Sequence, residues 1–402
     1  MTGRRQPGNQ AVPLLHVATM RAKRPRVTHV ITALNSAGGA ESLLVRLLEK
    51  LGDDERRSHS VVTLRGGTMA PQVEEMGVRI STLGMSGIPT PSDVLRLGQT
   101  LREAQADVVQ TWLLHSNVLT GLTVRAVSRA SVVWGVHLTE VSRSTLGTKA
   151  VLVQRAEGIC SWFVPSRIVA CSVSSRQQMH KMHYRRKRIV TIVNGFDVAH
   201  FKPDPAARNE VRRELGLSPA APVIGHVARF HPIKGHAILL AAAAKVREQV
   251  PDVRFVLCGP GVTPDNPELS ALAAPLEDRV LMLGRRNDVP RLLNAFDLAV
   301  SSSFGEALPL AVGEAMATGV PVVATRCGDL EDLIADTGVV TPANDSTALA
   351  QAMIQQITMD SVNRMELGRR ARARINSLYS LERMVTEYRE LWDEVARENG
   401  RA

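Results

Sequence analysis

The stretch Leu298–Thr325 constrains the architecture more than any other part of the chain. Leu298–Ser303 is a short apolar run ending in serines, the pattern of a strand buried on both faces. Phe304–Leu308 supplies a turn. Pro309 suits a first helical turn, where its missing N–H costs nothing. Leu310–Ala317 is helical, Gly319 and Pro321 stop it, and Pro321–Thr325 is the next buried strand. Strand, turn, helix, strand is a βαβ unit of a parallel sheet. Such sheets bind ligands at the carboxyl ends of their strands. Glu306 falls at that end, and Glu314 lies further along the helix. Carboxylates accept hydrogen bonds from polyhydroxyl groups, and the unpaired N–H groups of a helix N-terminus suit a diphosphate. The unit therefore suits a sugar nucleotide.

The same alternation runs through the rest of the chain. Apolar runs at Val27–Ala33, Ser60–Leu64, Val78–Leu83, Val108–Thr111, Ser131–Val136, Arg167–Cys171 and Ile189–Val193 read as strands. Between them, Ala40–Leu51, a segment near Pro71–Met76, Pro91–Ala104, Asn117–Ser128, Thr148–Cys160 and Ser172–Met182 read as helices. Asn194–Asp197 and Phe201–Pro203 form a connection. A second alternation then begins with helix Ala206–Leu215 and strand Pro222–His226 and continues to about Leu378. The segment Leu381–Val395 is an amphipathic helix through Met384, Tyr388, Leu391, Trp392 and Val395. The expected division is a disordered basic tail over 1–26, Rossmann-like domains over 27–200 and 201–378, and a terminal helix over 379–402 that returns to the first domain. Within the tail, Met20 is an alternative start.

A length of 402 residues allows two domains, each with its own core. No apolar run reaches the ~18 residues that span a bilayer. Ala11–Val17, broken by Pro13 and His16, is too weak for a secretion signal. Four scattered cysteines (Cys160, Cys171, Cys258, Cys327) lack Cys-x-x-Cys spacing, which suits reduced thiols and a cytoplasmic protein. The net charge of +10 is uneven: residues 1–202 carry 27 Lys/Arg against 13 Asp/Glu, and residues 203–402 carry 22 against 26. His180–Arg188 is the densest basic run. Nucleic acid, an anionic lipid surface and a plain solvated face all fit such a run. Aromatics at 3% and the lack of a nucleic-acid-binding motif favour lipid.

Several positions carry chemistry. Arg229 and Lys234, in Gly225–His236, lie in the turn before helix Ala237–Val246, where two cations suit a diphosphate. Gly38 and Gly39, in Asn35–Glu41, let the backbone approach a ligand closely. Glu41 equally suits a helix first turn. His137 ends a buried strand and so points toward a cleft, although a core role also fits. Trp112, His115 and Asn117 lie at another strand end and are candidates for an acceptor pocket. Trp112 fits a core equally well. The N–H groups of Leu308 and Leu310 are placed for a distal phosphate. No Ser-His-Asp set, zinc spacing or P-loop is present.

Taken together, the Glu306-x7-Glu314 pair in its Phe-Gly and Glu-Ala-Met-Ala-x-Gly-x-Pro-Val-Val-Ala context, the Arg229/Lys234 pair and the Gly38-Gly39-Ala-Glu41 turn resemble the family 4 (group 1) retaining glycosyltransferases. The resemblance runs from about Val27 to about Tyr388. It implies an α/β GT-B fold, with two Rossmann-like doubly wound domains facing across a cleft and a C-terminal helix crossing back. It also implies that a sugar passes from a nucleoside-diphosphate-sugar to an acceptor hydroxyl with retention, and that no cofactor or metal is needed. The absence of an Asp-x-Asp strand end fits this, although Asp329–Asp332 is acidic. By the same resemblance Arg229 and Lys234 contact the diphosphate, Glu306 and His137 lie beside the transferred sugar, and Glu314 accepts from ribose. Expected partners are the nucleotide-sugar, a saccharide or lipid-linked acceptor of the surface-polysaccharide or lipopolysaccharide kind, and an anionic membrane surface, with no nucleic acid. The alternatives are a nucleotide-sugar epimerase or hydrolase on the same fold and a non-catalytic binding protein.

Overall fold

The protein is seen as a computed structural model that describes residues 24–35, 39–137 and 153–400. Most of the expected basic tail and the start of the expected helix Thr148–Cys160 lie outside the described residues. Within them, helix is present over 153–160.

Two parallel sheets account for the strands. The first contains β1 (Val27–Ile31), β2 (His59–Thr63), β3 (Arg79–Thr82), β4 (Val108–Trp112), β5 (Ser131–Val136), β6 (Arg167–Ala170) and β7 (Ile189–Thr191), in the order β3-β2-β1-β4-β5-β6-β7. The second contains β8 (Val223–Val227), β9 (Arg254–Cys258), β10 (Val280–Met282), β11 (Leu298–Ser301), β12 (Val322–Thr325) and β13 (Gly338–Thr341), in the order β10-β9-β8-β11-β12-β13. In each sheet the winding reverses beside the first strand, between β1 and β4 and between β8 and β11. A crevice opens at such a switch point, outside the carboxyl ends of the strands.

Central strands such as β1, β4, β5, β11 and β12 are buried along their whole length. They therefore read as unbroken apolar runs in the sequence. Helices cover both faces of each sheet, which gives each domain two apolar layers. Local capping sets several helix starts. Thr90 accepts from the Asp93 N–H while Asp93 accepts from the Thr90 N–H, with Pro91 at the first position, and helix Pro91–Ala104 begins there. Ser172 caps Val173–Lys181 more simply, its side chain accepting from the Ser175 N–H.

The terminal helix Leu381–Glu398 leaves the second domain and packs on the first. Met384, Tyr388, Leu391 and Trp392 share one buried cluster with Ile31, Leu44 and Leu48. The crossing is tight: Phe196 N–H donates to Tyr379 O (2.8 Å) and Leu381 N–H to Phe196 O (2.9 Å). A Cβ on Gly195 would lie 2.6 Å from Leu381 Cα, so only glycine fits there. Three helix boundaries depart from expectation by three residues. The helix expected over Ala237–Val246 ends at Gln249, and the one expected over Leu381–Val395 ends at Glu398. The helix expected from Asn117 begins at Leu114, preceded by Leu113 in an unusual positive-φ conformation (φ 72°) with no side-chain cap.

Candidate functional site

The carboxyl ends of β8 and β11 are tied together by backbone. Phe304 N–H donates to Ile233 O (2.8 Å), and Ser302 Oγ donates to Lys234 O (2.8 Å). Gly235, at φ +66°, lets the Lys234 turn close onto the β11 strand end; a Cβ there would fall 2.1 Å from Ser302 O. His231 caps the turn by accepting from Ile233 N–H (3.3 Å). Lys234 Nζ is thereby brought into contact with Glu306 Oε1, which also accepts from Ser303 Oγ (3.0 Å). The cation from one strand end and the acid from another meet as expected. Gly328 (φ +50°) supports Glu306 from behind, where a Cβ would lie 2.0 Å from Glu306 O.

Between the domains lies a cavity of about 710 Å³, within the usual size of roughly 300–1,000 Å³ for small-molecule sites. The second domain lines it with Arg229, Lys234, Glu306, Leu308 and Leu310. The first domain contributes Gly39, Glu41 and His137. Helix Leu310–Ala317 starts at this wall. Pro309 is its N-cap and offers no side-chain acceptor, so the first N–H groups have no capping partner. Pro309 thus stands one position before the first helical turn expected for it.

Burial pushes the half-buried His137 imidazole down to about 4, so the ring is neutral at pH 7. Its ring stacks on Trp112 at 5.9 Å. Burial pushes the Glu41 carboxyl up. It also pushes the Cys171 thiol, on the same wall, up to about 12, which keeps it protonated and non-nucleophilic.

Three expected acceptor residues lie elsewhere. Trp112 is fully buried in the first-domain core, donates from Nε1 to His29 Nδ1 (3.3 Å), and packs on Tyr388 of the returning helix. Asn117 is also fully buried. Its Oδ1 accepts from Thr111 Oγ1 (2.6 Å), and its Nδ2 donates to Glu157 Oε1 (2.6 Å) and Gly135 O (3.2 Å). Both side chains are consumed by internal bonding and cannot reach an acceptor in this arrangement. His115 is exposed on the outer surface of its helix and does not line the cavity. Gly38 lies outside the described residues.

Glu314 also stands apart. It is buried and does not line the cavity, and its Oε1 lies 2.9 Å from Arg46 Nη1 of the first domain. Of the two glutamates expected on one cavity, Glu306 alone lines it in this domain arrangement. Conversely, Arg285, Arg286 and Asn194 line the cavity without having been singled out. The signal for the arginines was their place just past the apolar run of β10. Arg286 is held by Asp288 (2.6 Å) and Glu214 (2.7 Å). Among the described residues, no group of three or more His, Cys, Asp or Glu is placed to hold a metal ion.

Comparison with known proteins gives two family matches. Residues 37–200 match the family described as Glycosyltransferase Family 4, and residues 221–359 match the one described as Glycosyl transferases group 1. The chain is similar to N-acetyl-alpha-D-glucosaminyl L-malate synthase of Bacillus anthracis, at 31% identity over 240 residues, covering 58% of this chain and 60% of that protein. It is also similar to UDP-Gal:alpha-D-GlcNAc-diphosphoundecaprenol alpha-1,3-galactosyltransferase of Escherichia coli, at 25% identity over 314 residues, covering 77% of this chain and 80% of that one. The crystal structure of Anabaena Alr3699/HepE in complex with UDP and glucose shares the fold, with a TM-score of 0.79 at 22% identity over 92% of this chain and 99% of that one.

Proposed function

Since this chain belongs to the family 4, group 1 glycosyltransferases of GT-B fold, we propose that it moves a sugar from a nucleoside-diphosphate-sugar to an acceptor hydroxyl, with retention and without a metal. The observation that carries this reading is the convergence of Arg229, Lys234, Glu306 and the start of helix Leu310–Ala317 on one cavity wall. Two cations and unpaired N–H groups form a preorganised cradle for a diphosphate, whose charge grows as the sugar leaves. Glu306 accepts from sugar hydroxyls. His137, neutral at pH 7, hydrogen-bonds the donor sugar from the opposite wall. The bond from the anomeric carbon to phosphate breaks, and the bond to the acceptor oxygen forms on the same face. The acceptor proton passes to a phosphate oxygen, which the cations have made a stable leaving group. The resident cations supply the charge that a divalent ion would otherwise bring. Glu314, paired with Arg46 at the domain boundary, reaches the ribose once the domains adjust around the donor.

The acceptor in this reading is a lipid-linked saccharide for surface polysaccharide, and the enzyme works in the cytoplasm at an anionic membrane face. Support comes from the basic first half of the chain and from the diphosphoundecaprenol acceptor in the name of the Escherichia coli relative. No helix among the described residues is long and apolar enough to cross a membrane, so attachment would be peripheral.

The test is incubation of purified protein with UDP-, GDP- and ADP-sugars, with and without lipid-linked saccharides. Products are followed by NMR in buffer containing a chelator. Expected is acceptor-dependent release of the diphosphate and a product with the anomeric configuration of the donor. An inverted anomer, or turnover abolished by the chelator, overturns the retaining, metal-free reading. Sugar release that ignores every acceptor argues for a hydrolase.

A further inference from the structure

The first domain carries an exposed apolar knuckle that neither the cavity nor the core uses. Helix 153–160 runs into the turn 161–164, and Ile159 on the helix with Trp162 and Phe163 on the turn are 66%, 55% and 57% exposed. Three large apolar side chains held out to solvent within one turn are unusual on a soluble surface. The turn is rigid, because arginines bind its carbonyls from behind. Arg185 donates to Trp162 O (2.8 Å), Arg188 to Ser161 O (3.3 Å), and Arg125 to Val164 O (2.9 Å). Trp162 Nε1 donates to His183 O (3.0 Å), which fixes its ring with one face toward the Arg185 guanidinium at 6.0 Å. Arg186 and Lys187, next in the chain, are exposed. Residues 153–188 hold eight Lys/Arg, of which Arg167 is paired with Glu394 and Glu398, and a single acid, Glu157, which is buried.

We infer that this knuckle is a membrane-docking surface, in which Ile159, Trp162 and Phe163 enter the interface of an anionic bilayer while the surrounding basic residues meet its headgroups. The assignment rests on the membrane reading above and specifies which face makes the contact; the chemistry in the cleft is independent of it. Charge complementarity selects the occupant. A polyanionic surface satisfies the cations, and only a bilayer also takes up three apolar side chains beside them. A second copy of this chain would bring the same cations face to face, and nucleic acid offers no apolar interior.

Flotation with vesicles of phosphatidylcholine alone or mixed with an anionic phospholipid tests the inference. Wild-type protein should float with anionic vesicles. Trp162→Ser/Phe163→Ser should float more than tenfold less, with unchanged thermal midpoint and unchanged UDP affinity. Arg186→Gln/Lys187→Gln should lose roughly fivefold per charge removed at low salt, and little at high salt. Trp162 is the exposed one of four tryptophans, so brominated lipid should quench emission in the wild type and not in Trp162→Ser. Failure of wild-type protein to float at all overturns the membrane reading together with this surface. Wild-type flotation that both variants retain overturns the surface alone. Loss of self-association in sedimentation, with flotation unchanged, assigns the knuckle to a second copy instead.

Discussion

Replacing Lys234 with methionine separates two roles that the structure gives this side chain. Lys234 holds Glu306 in a contact whose partners are only 21% and 15% exposed, and it faces the cavity beside Arg229. Methionine keeps most of the stem volume and removes the charge. An exposed ion pair contributes about 0–1 kcal/mol. This one is sheltered, and its loss leaves Glu306 with only the Ser303 hydroxyl, so destabilisation of about 1–2 kcal/mol is expected. The effect on turnover should be larger. Removing one preorganised group from a site of developing charge costs roughly 10²–10³ in kcat, or about 2.7–4 kcal/mol. The assay is steady-state release of the nucleoside diphosphate, repeated in an E306Q background. If Lys234 acts on the leaving group itself, Lys234→Met still costs at least about tenfold in kcat when Glu306 is already neutral. A loss that vanishes in that background would show that Lys234 serves only to hold Glu306. A kcat within threefold (roughly 0.6 kcal/mol) of wild type in the single variant would refute the reading of the cradle.

Three further outcomes follow from the geometry. Burial lowers His59, His137 and His226 to about 4, His236 to about 3, and His29 well below its ordinary value; the unfolded chain therefore binds protons first, and stability should fall as pH drops from about 6.5 toward 4, by roughly 1.4 kcal/mol per histidine at pH 5.5, whereas a flat melting temperature between pH 7 and 5 would mean that these rings are hydrated. Gly235→Ala places a Cβ 2.1 Å from Ser302 O at a positive φ, so denaturant titration should show a loss of about 1–3 kcal/mol accompanied by weaker UDP binding, and unchanged values in both would contradict the close approach. Arg46→Met strands the buried Glu314 carboxylate and should destabilise by about 3 kcal/mol, with recovery in Arg46→Met/Glu314→Gln; a double variant no better than the single one would show that the two groups are not paired.

Much of this architecture was legible because its causes are local. A strand covered on both faces has no room for alternation, so β5 and the strands around Glu306 stand out as apolar runs. The capping box at Thr90 and Asp93 is complete within four residues, and helix Pro91–Ala104 has the bounds that its sequence implies. The Lys234–Glu306 meeting was legible for a related reason: both residues follow strands that are neighbours at the switch point, and parallel topology brings such strand ends together. Trp112 and Asn117 were misjudged because a position at a strand end does not say where a side chain points. What draws Trp112 inward is His29 together with Tyr388 from the returning helix, and what draws Asn117 inward is Glu157. None of those partners is near in sequence. The early start of the helix at Leu114 follows Leu113 at φ 72°, a conformation with no residue-type signal when the residue is leucine.

The same distinction explains why one glutamate of the pair lines the cavity and the other does not. Glu306 is fixed within its own domain by Ser303, Lys234 and the close approach of Gly328. Glu314 lies on a helix that forms part of the domain boundary, where Gly313 leaves room for the Phe196 ring and Arg46 arrives from the first-domain helix Gly39–Lys50. Asp329 belongs to the same boundary: its carboxylate accepts from Val173 N–H (2.6 Å) and Ser174 N–H (2.7 Å), capping a first-domain helix from the second domain. These contacts depend on how two separately folded sheets face one another. Each exchanges partners if the domains rotate, whereas the Lys234–Glu306 contact does not. A ligand that binds the second-domain wall is therefore met by a rigid cradle. In the proposed reading, Glu314, which Arg46 holds at the boundary, becomes available through domain motion. In the proposed reading, that division puts recognition of the diphosphate before closure and recognition of the ribose within it.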